Sequence, residues 1–147
     1  MKKPLSKVYY KIMRVSVFRQ SHFNAAHRLN VSSWSSEENK KVFGVCNNEF
    51  FHGHNYELVV RLTGEVDPIT GMLIDLNELS EIIDEQIINY LDHKNLNIQI
   101  TEFQTLNPTV ENICFVIYER LRKVINSQFE VRVRLFETAR NFAEYPA

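Results

Sequence analysis

From Tyr56 to Leu62 the apolar residues fall on alternate positions: Tyr56, Leu58, Val60 and Leu62 are interleaved with Glu57, Val59 and Arg61. A period of two sends successive side chains to opposite faces, so this segment reads as a β-strand with one face against a core. His52-Gly53-His54 opens the same strand. Residues two apart share a face, so the two imidazoles project together, and Gly53 leaves room for backbone to come close.

The rest of the chain supplies partners for that strand. Val15, Val17 and Phe18 make Met13 to about Phe23 a first strand, with His27 at its end. The polar run from Asn30 to Lys41 reads as an exposed loop or a short helix. Asp67-Pro68-Ile69-Thr70-Gly71 is turn chemistry, expected to close a hairpin onto a strand at Met72-Leu73-Ile74. Asp75, with Glu78 three residues on, marks a helix start, followed by Leu79, Ile82, Ile83, Ile87, Tyr90 and Leu91 at helical spacing. Thr109 caps a second helix whose stripe is Val110, Ile113, Ile117, Leu121 and Val124. Two strand-like segments, Phe129 to Phe136 and Asn141 to Tyr145, end the chain. Strands gather at the two ends and helices in the middle, which is an α+β arrangement with a largely antiparallel sheet.

A length of 147 residues suits one domain, expected to span 1–147 with residues 1–12 irregular or flexible. Seventeen basic and 18 acidic residues give a net charge of −1, so no dominant positive field favours nucleic acid. No run approaches the ~18 apolar residues of a membrane span. Met1-Lys2-Lys3 leads into Pro4 and polar residues rather than an apolar leader, so we expect a cytoplasmic, reducing setting with Cys46 and Cys114 as free thiols.

Several residues carry chemistry. His27 on the first strand can meet His52 and His54 across an antiparallel pair. Three imidazoles with a fourth position open is the donor set of catalytic zinc, whereas a His-x-His pair alone can equally be structural. His22, five residues before His27, faces the other way on a regular strand. Cys46, among Asn47, Asn48 and Glu49, is a candidate base or nucleophile, because a thiol near a metal loses its proton more easily; the alternative is an inert buried cysteine. Cys114 lies within an amphipathic helix and reads as packing. Asp92-His93 is a carboxylate–imidazole pair of the kind a proton shuttle needs, or simply a charged helix end. Glu137 and Glu111 are candidate anchors for a ligand's amidine-like edge, or solvated acids.

Six segments in register then resemble the 6-pyruvoyl-tetrahydropterin synthase family, from about Val15 to Tyr145: Phe23-Asn24-Ala25-Ala26-His27-Arg28-Leu29, Phe43-Gly44-Val45-Cys46-Asn47-Asn48, His52-Gly53-His54-Asn55-Tyr56, Gly64 to Met72, Leu91-Asp92-His93-Lys94-Asn95-Leu96 and Thr109-Val110-Glu111-Asn112. The resemblance implies a T-fold subunit: a four-stranded antiparallel sheet with two helices on one face, three sheets closing into a barrel, and two trimers forming a homohexamer with interfacial active sites. It assigns the zinc ligands to His27, His52 and His54, the base to Cys46, an acid–base pair to Asp92 and His93 reaching a neighbouring subunit's site, and the pterin anchor to Glu137, helped by Thr109 and Glu111. The implied reaction turns 7,8-dihydroneopterin triphosphate into 6-pyruvoyl-tetrahydropterin with loss of triphosphate.

One departure stands out. Glu49-Phe50-Phe51 occupies the stretch between Cys46 and His52 where the animal-type pattern has Pro, Asn and Gly. Glu49-Phe50-Phe51-His52-Gly53-His54 also fits a subgroup that lacks the cysteine and cleaves the side chain to 6-hydroxymethyl-7,8-dihydropterin, with Glu49 as the base. Cleavage alone, or both activities, is therefore an alternative. The carboxy-tetrahydropterin synthases of deazapurine biosynthesis are a second, although they usually have a shorter Cys-to-His spacing. A zinc-stabilised interaction module without catalysis is the non-enzyme alternative.

Overall fold

In the computed structural model, which describes residues 13–147, the elements run β1 (Arg14–His27), α1 (Ser36–Phe43), a 3₁₀ turn (Gly44–Asn47), β2 (His52–Glu65), α2 (Leu76–Ile83), a wide π-helical turn (Asp84–Ile88), α3 (Asn89–Leu91), β3 (Lys94–Asn95), α4 (Leu96–Gln99), a second 3₁₀ turn (Thr101–Gln104), α5 (Val110–Val124), β4 (Glu130–Phe136) and β5 (Phe142–Tyr145). The expectation for residues 1–12 lies outside the described residues.

β1 and β2 pair antiparallel along their whole length, from Arg14 opposite Glu65 to His27 opposite His52. β4 pairs with β2, and β5 with β4, both antiparallel. The sheet order is β3-β1-β2-β4-β5. Four antiparallel strands form its body, and β3 adds only a two-residue parallel bridge to Ala25 and Ala26. β1 runs on to His27, past the predicted end near Phe23, because β2 offers it a partner at every position.

Alternation decides which face is buried. Phe23 of β1, Tyr56, Leu58, Val60 and Leu62 of β2, and Val133 and Leu135 of β4 are fully buried. They pack under Leu79, Ile83, Ile87 and Leu91 from the α2–α3 segment and Ile113, Ile117 and Leu121 from α5. Truncating such a leucine or isoleucine to alanine typically costs about 2–5 kcal/mol. Among the described residues the opposite face carries no helix, and it presents Phe18, Arg61, Arg134 and Phe142.

Asp75 caps α2 by accepting from the Asn77 N–H, and Thr109 caps α5 by accepting from the Asn112 N–H. The polar run resolves into a short helix: Ser35 accepts from the Glu38 N–H, and Asn39, buried, bonds back to Val31. The predicted strand at Met72-Leu73-Ile74 is not formed. The turn before it is present, with Asp67 Oδ1 accepting from Ile69 and Thr70 and Gly71 at φ 74°. Pairing then stops after the Asp67 N–H to Met72 carbonyl bond, because Leu73 drops into the core beside Gly64 and Phe129 on its way to the Asp75 cap. Among the described residues no helix is long and apolar enough to cross a membrane.

Candidate active site

The β1–β2 register sets the centre of the site. His27 lies opposite His52, and His54 lies opposite Ala25 one step further along. Their ring nitrogens fall within 4.8 Å of one another, with His27 Nε2 3.0 Å from His52 Nε2. His27 is fully buried, and its Nδ1 stands 2.7 Å from the Pro108 carbonyl, just before the α5 cap. A carbonyl can only accept, so Nδ1 carries the proton and Nε2 turns a lone pair toward the other two rings. Burial, with a smaller contribution from His52 and His54, lowers His27 to about 4 and keeps it neutral. Burial likewise lowers His52.

Nitrogens this close and this dry want a shared cation. His52 Nδ1 and His54 Nε2 are buried without a hydrogen-bond partner among the described residues. An orphaned buried polar atom is costly, and a metal ion bound by three imidazoles would satisfy His54 Nε2, with His52 binding through the Nε2 that faces His27. The three histidines are positioned to hold a metal ion. An added Cβ at Gly53 would meet only the Ala25 carbonyl, at 3.4 Å, so the crowding expected at this glycine is slight.

Glu137, just past β4 and on the same face, closes over the triad. Its Oε1 is 3.6 Å from His27 Nε2 and 3.7 Å from His54 Nε2. Cys46 is near enough that this carboxylate, after burial itself, pushes the thiol up from its ordinary value. A divalent cation would act in the opposite direction. The 3₁₀ turn carrying Cys46 is fastened to the end of β1 by four bonds. The Leu29 N–H reaches the Cys46 carbonyl at 2.9 Å, and Arg28 Nε reaches the Asn47 carbonyl at 2.9 Å. The buried Asn47 amide donates to the Leu29 carbonyl and to Asn30 Oδ1.

Asp92 and His93 are built with equal definition but elsewhere. Asp92 Oδ1 accepts from the Asn24 N–H at 2.8 Å, and Oδ2 is 2.8 Å from His93 Nδ1. The His93 N–H in turn donates to the Asn24 carbonyl at 2.7 Å. The Asn24 N–H, then His93, hold the Asp92 carboxyl below its ordinary value. His93 takes a positive φ of 57° and leaves its ring largely exposed. It shares a shallow groove with His54, but among the described residues no hydrogen bond joins it to the triad.

The remaining candidates divide. Thr109 stands beside Pro108 with its hydroxyl spent on the cap, and Glu111 is exposed in the first turn of α5. Glu49 is exposed and lines an outer groove with Arg28, Ser36 and Lys40 rather than the triad. His22 is exposed on the helix-free face, as its parity predicts. Cys114 is buried in α5, where burial pushes its thiol up to about 12, fitting the packing role.

Sequence reasoning missed the supports: the Pro108 carbonyl, the Asn47 clamp and the Asn24 backbone. A backbone carbonyl leaves no residue-type signal, although Asn-Pro before a helix cap is a turn signal that could have drawn attention.

Known proteins share this fold and much of this sequence. The family model described as 6-pyruvoyl tetrahydropterin synthase matches residues 16–147. The 6-pyruvoyl tetrahydrobiopterin synthase of Homo sapiens is 41% identical over 132 residues, covering 90% of this chain and 91% of that one. A dihydroneopterin monophosphate aldolase of Pyrococcus furiosus is 31% identical over 85% of this chain and 91% of its own. The solved structure of Caenorhabditis elegans 6-pyruvoyl tetrahydropterin synthase superposes with a TM-score of 0.87 at 38% identity, over 92% of this chain and 97% of that one. The chain therefore belongs to the 6-pyruvoyl tetrahydropterin synthase family.

Proposed function

We propose that this protein is a zinc-dependent 6-pyruvoyl-tetrahydropterin synthase that converts 7,8-dihydroneopterin triphosphate to 6-pyruvoyl-tetrahydropterin with elimination of triphosphate. The observation that carries the reading is the preformed three-nitrogen socket of His27, His52 and His54 with Glu137 over it and Cys46 beside it. Relatives named as synthases, about 40% identical along nearly the whole chain, support it.

Bound zinc would supply Lewis acidity toward the substrate's side-chain hydroxyls, making the neighbouring C–H bonds more acidic. Glu137, half-buried, can accept two parallel N–H bonds from the pterin edge and so fix the ring. Thr109 and Glu111, at the start of α5, flank that position in the family pattern. Cys46, held by the Asn47 clamp, takes a proton from side-chain carbon. Asp92 fixes the His93 ring through Nδ1, which leaves Nε2 free to carry protons. The pair stands apart from the triad of its own chain, which suits service at a neighbouring subunit's site within a homohexamer. Two free thiols suit the reducing cytoplasm.

Product identification by chromatography tests the reading. Zinc-loaded protein should yield the diketone from dihydroneopterin triphosphate, and Cys46→Ala should abolish it. Inert zinc-loaded protein overturns the synthase assignment; a Cys46→Ala variant at wild-type rate removes Cys46 as the base. A second reading, side-chain cleavage to 6-hydroxymethyl-7,8-dihydropterin with Glu49 as base, draws support from the aldolase relative. It predicts a hydroxymethyl product that Glu49→Ala removes.

A further inference from the structure

We propose that the helix-free face of the sheet carries an oxyanion site, formed by Arg61, Arg132 and Arg134, that takes a phosphoryl group. The strand register forces the juxtaposition. Arg61 of β2 lies directly opposite Arg132 of β4, and Arg134 lies two residues further along the same face. Like charges placed directly across a strand pair oppose folding, so this pairing needs a compensating negative charge.

The chain supplies one such charge, and it is already shared. Glu144 of β5 accepts from Arg132 Nη1 at 2.9 Å through Oε1, and from Arg134 Nε at 2.8 Å through Oε2. Arg61 gets nothing from it: among the described residues its Nε is buried with no hydrogen-bond partner. The other acids of this face are unavailable to it. Glu130 is paired with Arg14, and Glu57 and Glu65 each lie four residues along β2 from Arg61, opposite Phe136 and Arg14. Three guanidiniums against one carboxylate leave a local excess of two positive charges.

The excess sits in a concavity of about 310 Å³ bounded by Phe18, Val59 and Phe136, with Gln20 at its rim. The space admits a phosphate-sized anion. Apolar walls lower the local dielectric and strengthen any ion held there. A guanidinium offers two parallel N–H donors that match a phosphoryl group, a stronger and more directional contact than a lysine ammonium makes. The site is separate from the metal-binding triad. Arg61 is on the odd positions of β2, whereas His52 and His54 are on the even positions that face the helices.

Calorimetric titration of the zinc-loaded protein with inorganic phosphate tests the proposal. One phosphate should bind per chain, and Arg61→Gln should weaken it about tenfold or more, as loss of a charge-assisted contact does. Glu144→Gln should tighten it, because Arg132 and Arg134 are then released toward the anion; this gain stands even if Arg61→Gln folds poorly. Turnover of the pterin should be unchanged in both variants. Phosphate held at the metal centre instead would be lost in His52→Ala and kept in Arg61→Gln. That pattern, equal affinity in wild type and Arg61→Gln, or no saturable binding at all overturns the proposal.

Discussion

Asp92 shows how a single carboxylate reports on local architecture. The Asn24 N–H, then His93, lower its pKa in the folded chain, against about 3.9 for an unperturbed aspartate. A lowered folded value means that ionisation stabilises the fold above the unfolded pKa, and that this stabilisation drains away as the pH falls through the folded one. Asp92→Asn should therefore be less stable than wild type at pH 7, with the gap closing below about pH 4. Denaturant unfolding measured across that range checks it. A pH-independent gap would mean that the carboxylate's charge is not what matters. At this scale the sequence was informative about donors: His27, His52 and His54 could be grouped by parity and pairing before any coordinates. Their supports could not. Nothing in the letters ties Pro108 to His27, because the bond uses a carbonyl 81 positions away that every residue possesses.

Among the elements, α5 has two duties. Its buried stripe of Ile113, Ile117 and Leu121 covers the sheet, and the residue before its cap, Pro108, presents the carbonyl that orients His27. Thr109→Ala removes the cap bond to the Asn112 N–H and should cost about 1 kcal/mol of stability. It should also weaken metal affinity by loosening Pro108; a metal titration alongside thermal unfolding would separate the two effects. The helices and long strands were readable because each repeats its period over many residues. The hairpin strand at Met72 to Ile74 was misread for the opposite reason. Three residues give too short a pattern to separate a strand from an apolar strap, and packing of Leu73 decided it. The two-residue β3 was likewise invisible, since a bridge to Ala25 and Ala26 leaves no periodic trace.

For the molecule as a whole, the core is an apolar one: Leu58, Val60 and Leu62 bury against helices, with none of the three histidines among the core residues. Metal removal should leave the far-ultraviolet circular dichroism unchanged yet lower the unfolding temperature. For zinc at a thousandfold excess over its dissociation constant the expected difference is roughly 10 °C, from mass action and the heat-unfolding entropy of a domain this size. His52→Ala should erase that difference, and an equal zinc shift in that variant would place the ion elsewhere. In the assembly proposed above, the strand that supplies His27 to one chemical centre also clasps, through both polar groups of Asn24, the turn that serves another. Only two residues, Ala25 and Ala26, lie between these attachments, which are roughly 10 Å apart along extended backbone. β1 then behaves as a spacer bar between adjacent workplaces: a bend in it misaligns a ligand at one end and a proton carrier at the other, so a single lesion there is felt by two subunits.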